Sequence, residues 1–157
     1  MGTLFLVRHG QASFGAEDYD RLSKLGEQQA YLVGSFFRTA GILPGRVVVG
    51  RMRRHLQTAE HFLEAFEEKP AVETDPGLDE FDHVELVAKV HPDAPDGAGL
   101  ARLLAGEADP RTAFRDLFGR AVARWTGGEH DDYRESFEAF RNRAAAAIDT
   151  AARLEEA

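Results

Sequence analysis

Two basic residues near the start of the chain, Arg8 and His9, are the first whose types and spacing could do chemistry. They follow an apolar run at residues 4–7, which is typical of a buried strand, and Gly10 comes next. In α/β proteins, ligands bind at the carboxyl ends of parallel strands. A neutral imidazole can attack phosphorus there, and a guanidinium group binds phosphate oxygens in pairs. The spacing therefore predicts that His9 is a nucleophile and that Arg8 belongs to a phosphate clamp.

Two more predicted strands bring further reactive groups to the same edge. Residues 46–49 lead into a basic segment over residues 51–55, and residues 71–74 lead to Asp79 and Glu80. A protonated carboxylic acid at this edge could protonate a leaving alkoxide. The combination predicts phosphoryl transfer, whereas the chain has no GxxxxGK or GxSxG motif to indicate P-loop or α/β-hydrolase chemistry.

The rest of the chain is predicted to be mainly helical. The alternation of strands and helices predicts an α/β fold with a mostly parallel sheet in one domain over residues 1–157. Residues 92–110 are rich in Pro, Gly, Ala and Asp, and we expect a surface excursion or lid with one helical turn. Helices are predicted from Ser23 to Gly41, from the basic segment to Lys69-Pro70, over 85–91, from Asp109-Pro110 to Gly127-Gly128, and over 134–155.

Four segments, in chain order, resemble motifs of the histidine phosphatase superfamily, which has the phosphoglycerate mutase-like fold. The match is to the branch with an RHGQ motif, and it implies a three-layer α/β/α sandwich with a mostly parallel central sheet. The segments are LFLVRHG at 4–10, LSKLGEQQA at 22–30, RHLQTA at 54–59 and LDE at 78–80.

The resemblance implies specific roles in catalysis. His9 would be the phosphoryl-accepting nucleophile, and Arg8 and Arg54 would clamp the phosphate. Glu80 would be the general acid, although the neighbouring Asp79 is an alternative. No metal and no cofactor is implied.

The resemblance also implies residues around the phosphate. Gln11 and Gly10 would contribute to substrate binding, and we expect Arg51 and Arg53 on the rim of the pocket. Glu60, His55 and His61 lie close in sequence, but they lack a recognised metal-ligand spacing, so no metal site is predicted.

One motif of the family has no counterpart. Its members follow the last helix with a central strand and an SHGG motif that carries a second catalytic histidine, and this sequence stops at Ala157. We expect that further residues or a partner chain supply this strand, because its loss would leave an unpaired sheet edge. A degenerate family member is the alternative.

Composition restricts the partners. A net charge of −8 argues against nucleic acid, and the lack of cysteine excludes disulfides and thiolate chemistry. No apolar run is long enough to span a membrane, and no secretory signal is apparent, so a cytoplasmic protein is expected.

We therefore expect a phosphomonoester hydrolase that acts through a phosphohistidine on His9. Mutase-type phosphoryl transfer and a non-catalytic phosphate- or phosphoprotein-binding role are alternatives. The substrate would be a phosphorylated small molecule or a phosphoprotein. The sequence leaves the oligomeric state open, a homo-oligomer included.

Overall fold

The computed structural model describes residues 2–13 and 20–153, and the chain divides into two compact units. The first unit comprises residues 1–80 and 143–157, and the second comprises residues 81–142. The elements are α1 (Lys24–Thr39), β1 (Val47–Val49), α2 (Arg53–Leu63), β2 (Val72–Thr74), a 3₁₀ turn (Pro76–Leu78), α3 (His83–Ala88), α4 (Gly97–Ala105), α5 (Pro110–Thr126) and α6 (Phe137–Ala152).

The first unit contains a small parallel sheet. β1 and β2 pair in parallel, with Val47 opposite Val72 and Val49 opposite Thr74. Helix α2 connects the two strands, so this part of the chain is a β-α-β unit of the kind predicted from the alternation of elements. The second and third predicted strands are therefore confirmed, and the protein combines helices with parallel strands. The three-layer sandwich stays a prediction.

The prediction of a buried first strand is wrong for residues 4–7. These residues belong to no assigned strand, and Leu6 is 74% exposed. An apolar run becomes a strand only where a neighbouring backbone completes its hydrogen bonds. In the described part of the chain, β1 and β2 pair with each other, and residues 4–7 do not join their ladder. Phe5 does contact helix α1, since the centroid of its ring lies 5.0 Å from that of Phe37.

Helices α1 and α2 form the apolar core of the first unit. Ser23 caps α1 by accepting a hydrogen bond from the Gly26 amide at 3.1 Å, and Gly41 ends the helix with a φ of 71°. The predicted start and end of this helix are confirmed. Helix α2 ends earlier than predicted, at Leu63. The buried side chains of this core are Phe37, Phe62, Leu63, Ala65 and Phe66.

Helices α3, α4 and α5 form the second unit around an aromatic core. Asp109 and Pro110 begin α5 as predicted, and its Trp125 is 3% exposed. The predicted excursion over residues 92–110 contains the whole of helix α4. This nine-residue helix is longer than the one helical turn that was predicted. Leu100 of α4 is packed into the core, so this segment has a structural role. Its action as a lid stays a prediction.

Two further observations complete the fold. No helix within residues 2–13 and 20–153 combines the length and apolarity of a membrane span. Part of the polar loop that follows Gln11, at residues 14–19, lies outside the described residues.

Candidate active site

His9 lies at the centre of the candidate site, with a half-buried imidazole. Its Nδ1 lies 2.7 Å from the carbonyl oxygen of Gly10. Because a carbonyl oxygen can only accept, Nδ1 must carry the proton in this hydrogen bond. In the neutral ring, Nε2 then holds the lone pair, which is the form that a nucleophilic imidazole requires.

A threonine joins the nucleophile segment to helix α2. The buried amide of Gly10 donates to Oγ1 of Thr58 at 3.1 Å, and that hydroxyl donates to the carbonyl oxygen of Arg54 at 2.7 Å. One hydroxyl therefore links the residue after His9 to the first turn of α2. The segments that carry two predicted site residues, His9 and Arg54, are therefore joined by one chain of hydrogen bonds.

The same segment is also fixed against the start of α1. The backbone of Gln11 accepts from the Ser23 amide at 2.8 Å and donates to Oε1 of Gln29 at 2.9 Å. A Cβ at Gly10 would collide with the carbonyl oxygen of Gly26, so the two backbones approach more closely than any side chain allows. Gly10 is thus required for packing, while the Gln11 side chain is exposed.

Arg54 is the most buried charged group of the site, with 4% of its surface exposed. Its Nη1 donates to Oδ1 of Asp20 at 3.0 Å, and the other oxygen of Asp20 accepts from the Arg53 amide at 2.8 Å. Asp20 thus caps α2 and holds the guanidinium group at the same time. Within the described residues, the buried Nε of Arg54 has no hydrogen-bond acceptor. Leaving such a donor unsatisfied costs about 1–3 kcal/mol, which an anion oxygen would recover.

His55 brings a second imidazole next to the first. The ring centroids of His9 and His55 are 5.7 Å apart, and the planes are inclined by 33°. Burial lowers the pKa of His55, and the nearby positive charge of Arg54 lowers it further. Its Nδ1 is buried and has no partner among the described residues. The site therefore contains a neutral imidazole beside the predicted nucleophile.

Asp79 and Glu80 follow the 3₁₀ turn and have different surroundings. Oδ1 of Asp79 accepts from the Arg51 amide at 2.6 Å, and Oδ2 accepts from its Nε at 2.8 Å. Both oxygens of Asp79 are therefore committed to Arg51. Glu80 is exposed. Exposure distinguishes it from Asp79, and the assignment of the general acid to one of the two stays a prediction.

The remaining basic residues lie at the surface. Arg8 and Arg53 are exposed, as is Arg51, whose guanidinium group pairs with Asp79. The structure places the Arg8 side chain in solvent next to a half-buried His9, and its role in a phosphate clamp stays a prediction. Within the described residues, no group of three or more His, Asp or Glu side chains is arranged to hold a metal ion.

Three functional contacts could not be seen in the sequence. The pairing of Asp20 with Arg54 links a loop to a helix 34 positions away, and no local signal indicates it. Thr58 lies in the quoted RHLQTA segment, but its role depends on where Gly10 packs. The sequence places His55 in the basic segment and in the RHLQTA motif but does not indicate that it lies beside His9. Its position after Arg54, in the first turn of a helix that follows a strand end, was the available signal.

Comparison with known proteins gives two matches. A family model described as the histidine phosphatase superfamily (branch 1) matches residues 4–97. One solved structure, of the protein histidine phosphatase SixA complexed with tungstate, is 20% identical. The alignment covers 74% of this chain and 72% of that chain, with a TM-score of 0.42. No curated protein matches.

Proposed function

The chain belongs to the histidine phosphatase superfamily, branch 1, and from this premise we propose that it hydrolyses phosphomonoesters through a phosphohistidine on His9. In the first step, Nε2 of His9 attacks phosphorus and a P–N bond forms. The P–O bond to the leaving group breaks, and its electron pair goes to the departing oxygen, which takes a proton from Glu80. Water then attacks the phosphohistidine as Glu80 takes a proton from it, a new P–O bond forms, the P–N bond breaks with its electron pair returning to Nε2 of His9, and inorganic phosphate is released.

The observation that carries this proposal is the state of His9. The hydrogen bond from Nδ1 to the Gly10 carbonyl directs the lone pair to Nε2, and this bond is supported by the Thr58 link to α2. Arg54 supplies a buried positive charge with an unsatisfied Nε in the same hydrogen-bonded chain. A nucleophile and an anion-binding group are what phosphoryl transfer requires.

Either a phosphorylated small molecule or a phosphoprotein would suit this site as substrate. Arg8 and Glu80 are exposed, and His9 is half-buried, so these groups are accessible in the first unit. Mutase-type transfer requires the phosphoenzyme to be protected from water, and the exposure of Glu80 favours hydrolysis over it.

Hydrolysis of p-nitrophenyl phosphate tests the proposal. We expect turnover in the wild-type protein, an acid-labile phosphoenzyme after rapid quenching, and loss of both in His9→Ala. His61→Ala is the matched control, because His61 lies on α2 and pairs with Glu64 away from the site. Sustained turnover in His9→Ala would refute the nucleophile. Phosphate binding by the wild-type protein without any turnover would instead indicate a non-catalytic binding member.

A further inference from the structure

Arg143 of helix α6 holds the loop that carries the predicted general acid. Its Nη1 donates to the carbonyl oxygens of Gly77 at 3.0 Å and Asp79 at 2.8 Å. The side chain is half-buried, and these two acceptors are backbone carbonyl oxygens. A charged donor shared by two carbonyl oxygens fixes the path of the chain between them.

The other side of this loop is fixed to the sheet. The Asp75 amide donates to the carbonyl oxygen of Val49 at 2.8 Å, directly after the last paired residue of β2. Oδ1 of Asp75 accepts from the Gly77 amide at 2.7 Å. A Cβ at Gly77 would lie 2.7 Å from that of Ala147, so the loop lies directly against α6. The loop is therefore packed closely against α6 and is hydrogen-bonded both to the sheet and to Arg143.

The contact at Asp79 bears directly on Glu80. The carbonyl group of Asp79 and the amide of Glu80 belong to one planar peptide unit. The hydrogen bond to that oxygen sets the orientation of the Glu80 amide. The two hydrogen bonds from Arg51 to the Asp79 carboxylate also fix the side chain of Asp79. Glu80 thus follows a residue that is held twice. Arg143 of α6 holds the carbonyl oxygen of Asp79, and Arg51, which follows β1, holds its carboxylate.

We propose that Arg143 is a positioning residue that holds Glu80 where it can protonate the leaving group, an inference that rests on the proposed phosphatase function. Arg143 does not touch the substrate in this role. It acts through the Asp79–Glu80 peptide, and its loss lets the acid move away from the departing oxygen. Such a misplacement lowers the rate of the protonated step without removing the nucleophile.

The test compares two substrates that differ in their need for an acid. Phenyl phosphate releases a basic phenolate and needs a proton donor, whereas 2,4-dinitrophenyl phosphate releases a stable anion without one. We expect Glu80→Gln to lower kcat/KM, which reports the steps up to leaving-group release, by about 10²–10⁴-fold for phenyl phosphate and to spare the dinitrophenyl ester. Arg143→Met should lower kcat/KM for phenyl phosphate by about tenfold or more with a smaller effect on the dinitrophenyl ester.

Two further variants control for folding and charge. Arg143→Lys keeps the charge and some of the donors, so we expect it to restore part of the phenyl phosphate rate and to carry the test if Arg143→Met does not fold. Arg141→Met removes an exposed arginine from the same helix and should leave both rates unchanged.

Each outcome decides between the two ideas. If the Arg143 variants lose equal activity towards both substrates, or lose none, the positioning role is overturned. His9-dependent turnover of the dinitrophenyl ester would still uphold the proposed function in that case. A Glu80→Gln variant without substrate selectivity would overturn the role as well. Absence of His9-dependent turnover in the wild-type protein would refute the proposed function itself, and the positioning role with it.

Discussion

Two buried donors, one in each unit, differ in whether the fold satisfies them. In the second unit, Trp125 is 3% exposed, and its indole N–H donates to the carbonyl oxygen of Glu135 at 2.9 Å. In the first unit, Arg54 is 4% exposed, yet its Nε has no acceptor among the described residues. Among the described residues, the first of these donors is satisfied and the second is not.

Arg124 and Arg54 also differ in how their ion pairs are made. Arg124 in the second unit forms a two-pronged pair with Asp132 at 2.9 and 3.1 Å, and this neighbour lowers the pKa of the Asp132 carboxyl to about 2. The guanidinium group of Arg54 instead reaches Asp20 through one nitrogen. A two-pronged pair satisfies more of a guanidinium group than a single hydrogen bond does. Arg124 is therefore paired in full with its carboxylate, whereas Arg54 keeps an unsatisfied donor inside the first unit.

The largest expected effect is on the core of the second unit. Trp125→Ala removes a buried ring that contacts those of Phe81, Phe137 and Phe140, so we expect the free energy of unfolding to fall by about 3–5 kcal/mol. Trp125 is the single tryptophan, so urea denaturation must be followed by circular dichroism and not by fluorescence. Leu32→Ala is the control, since Leu32 is 64% exposed and should change the value by no more than about 0.5 kcal/mol. Equal losses in the two variants would contradict the contrast.

The sequence could predict those features that depend on neighbouring residues. Ser23 as the cap of α1, Asp109 and Pro110 at the start of α5, and Gly41 at the end of α1 all act within a few positions, and all are confirmed. The parallel pairing of residues 46–49 with 71–74 also followed from the order of elements.

Other features depend on long-range packing and could not be predicted. The apolar pattern of residues 4–7 does not say whether a paired strand will lie beside them, and these side chains are exposed. Asp20 is a second example, because nothing in its neighbouring residues indicates that it accepts a hydrogen bond from Arg54. The sequence therefore indicates candidate reactive residues, whose roles stay predictions, but it does not indicate the contacts that hold them.

The next expected effect sharpens the contrast at Arg54. Arg54→Met should lower kcat/KM for p-nitrophenyl phosphate by about 10²–10³-fold, because a buried donor to the transition state is lost. The free energy of unfolding should fall by only about 1 kcal/mol, because the Asp20 side chain is 37% exposed and keeps the Arg53 amide as a donor after Arg54 is lost. Arg124→Met is the matched control and should leave the rate unchanged. A variant of Arg54 that loses stability but keeps its rate would show that this arginine is structural, as in the second unit.

The smallest expected effect concerns the pH dependence of stability at His55. Burial, Arg54 and His9 lower its pKa below the ordinary value of 6.5, and only Asp20 and Asp79 oppose this. The unfolded chain therefore binds a proton near pH 6.5 that the folded protein does not yet bind, and the folded protein loses stability as the pH falls through that window. Above the window both states are neutral at His55, and its contribution is constant.

Urea denaturation between about pH 5 and pH 8 measures this contribution. We expect the free energy of unfolding of the wild-type protein to fall more steeply towards acid pH than that of His55→Gln. The exposed His130 provides the control, because His130→Gln should retain the wild-type slope. Parallel curves for the wild-type protein and His55→Gln would show that the second imidazole is not held neutral. In that case the polar site of the first unit would consist of His9 and Arg54 without a neutral neighbour.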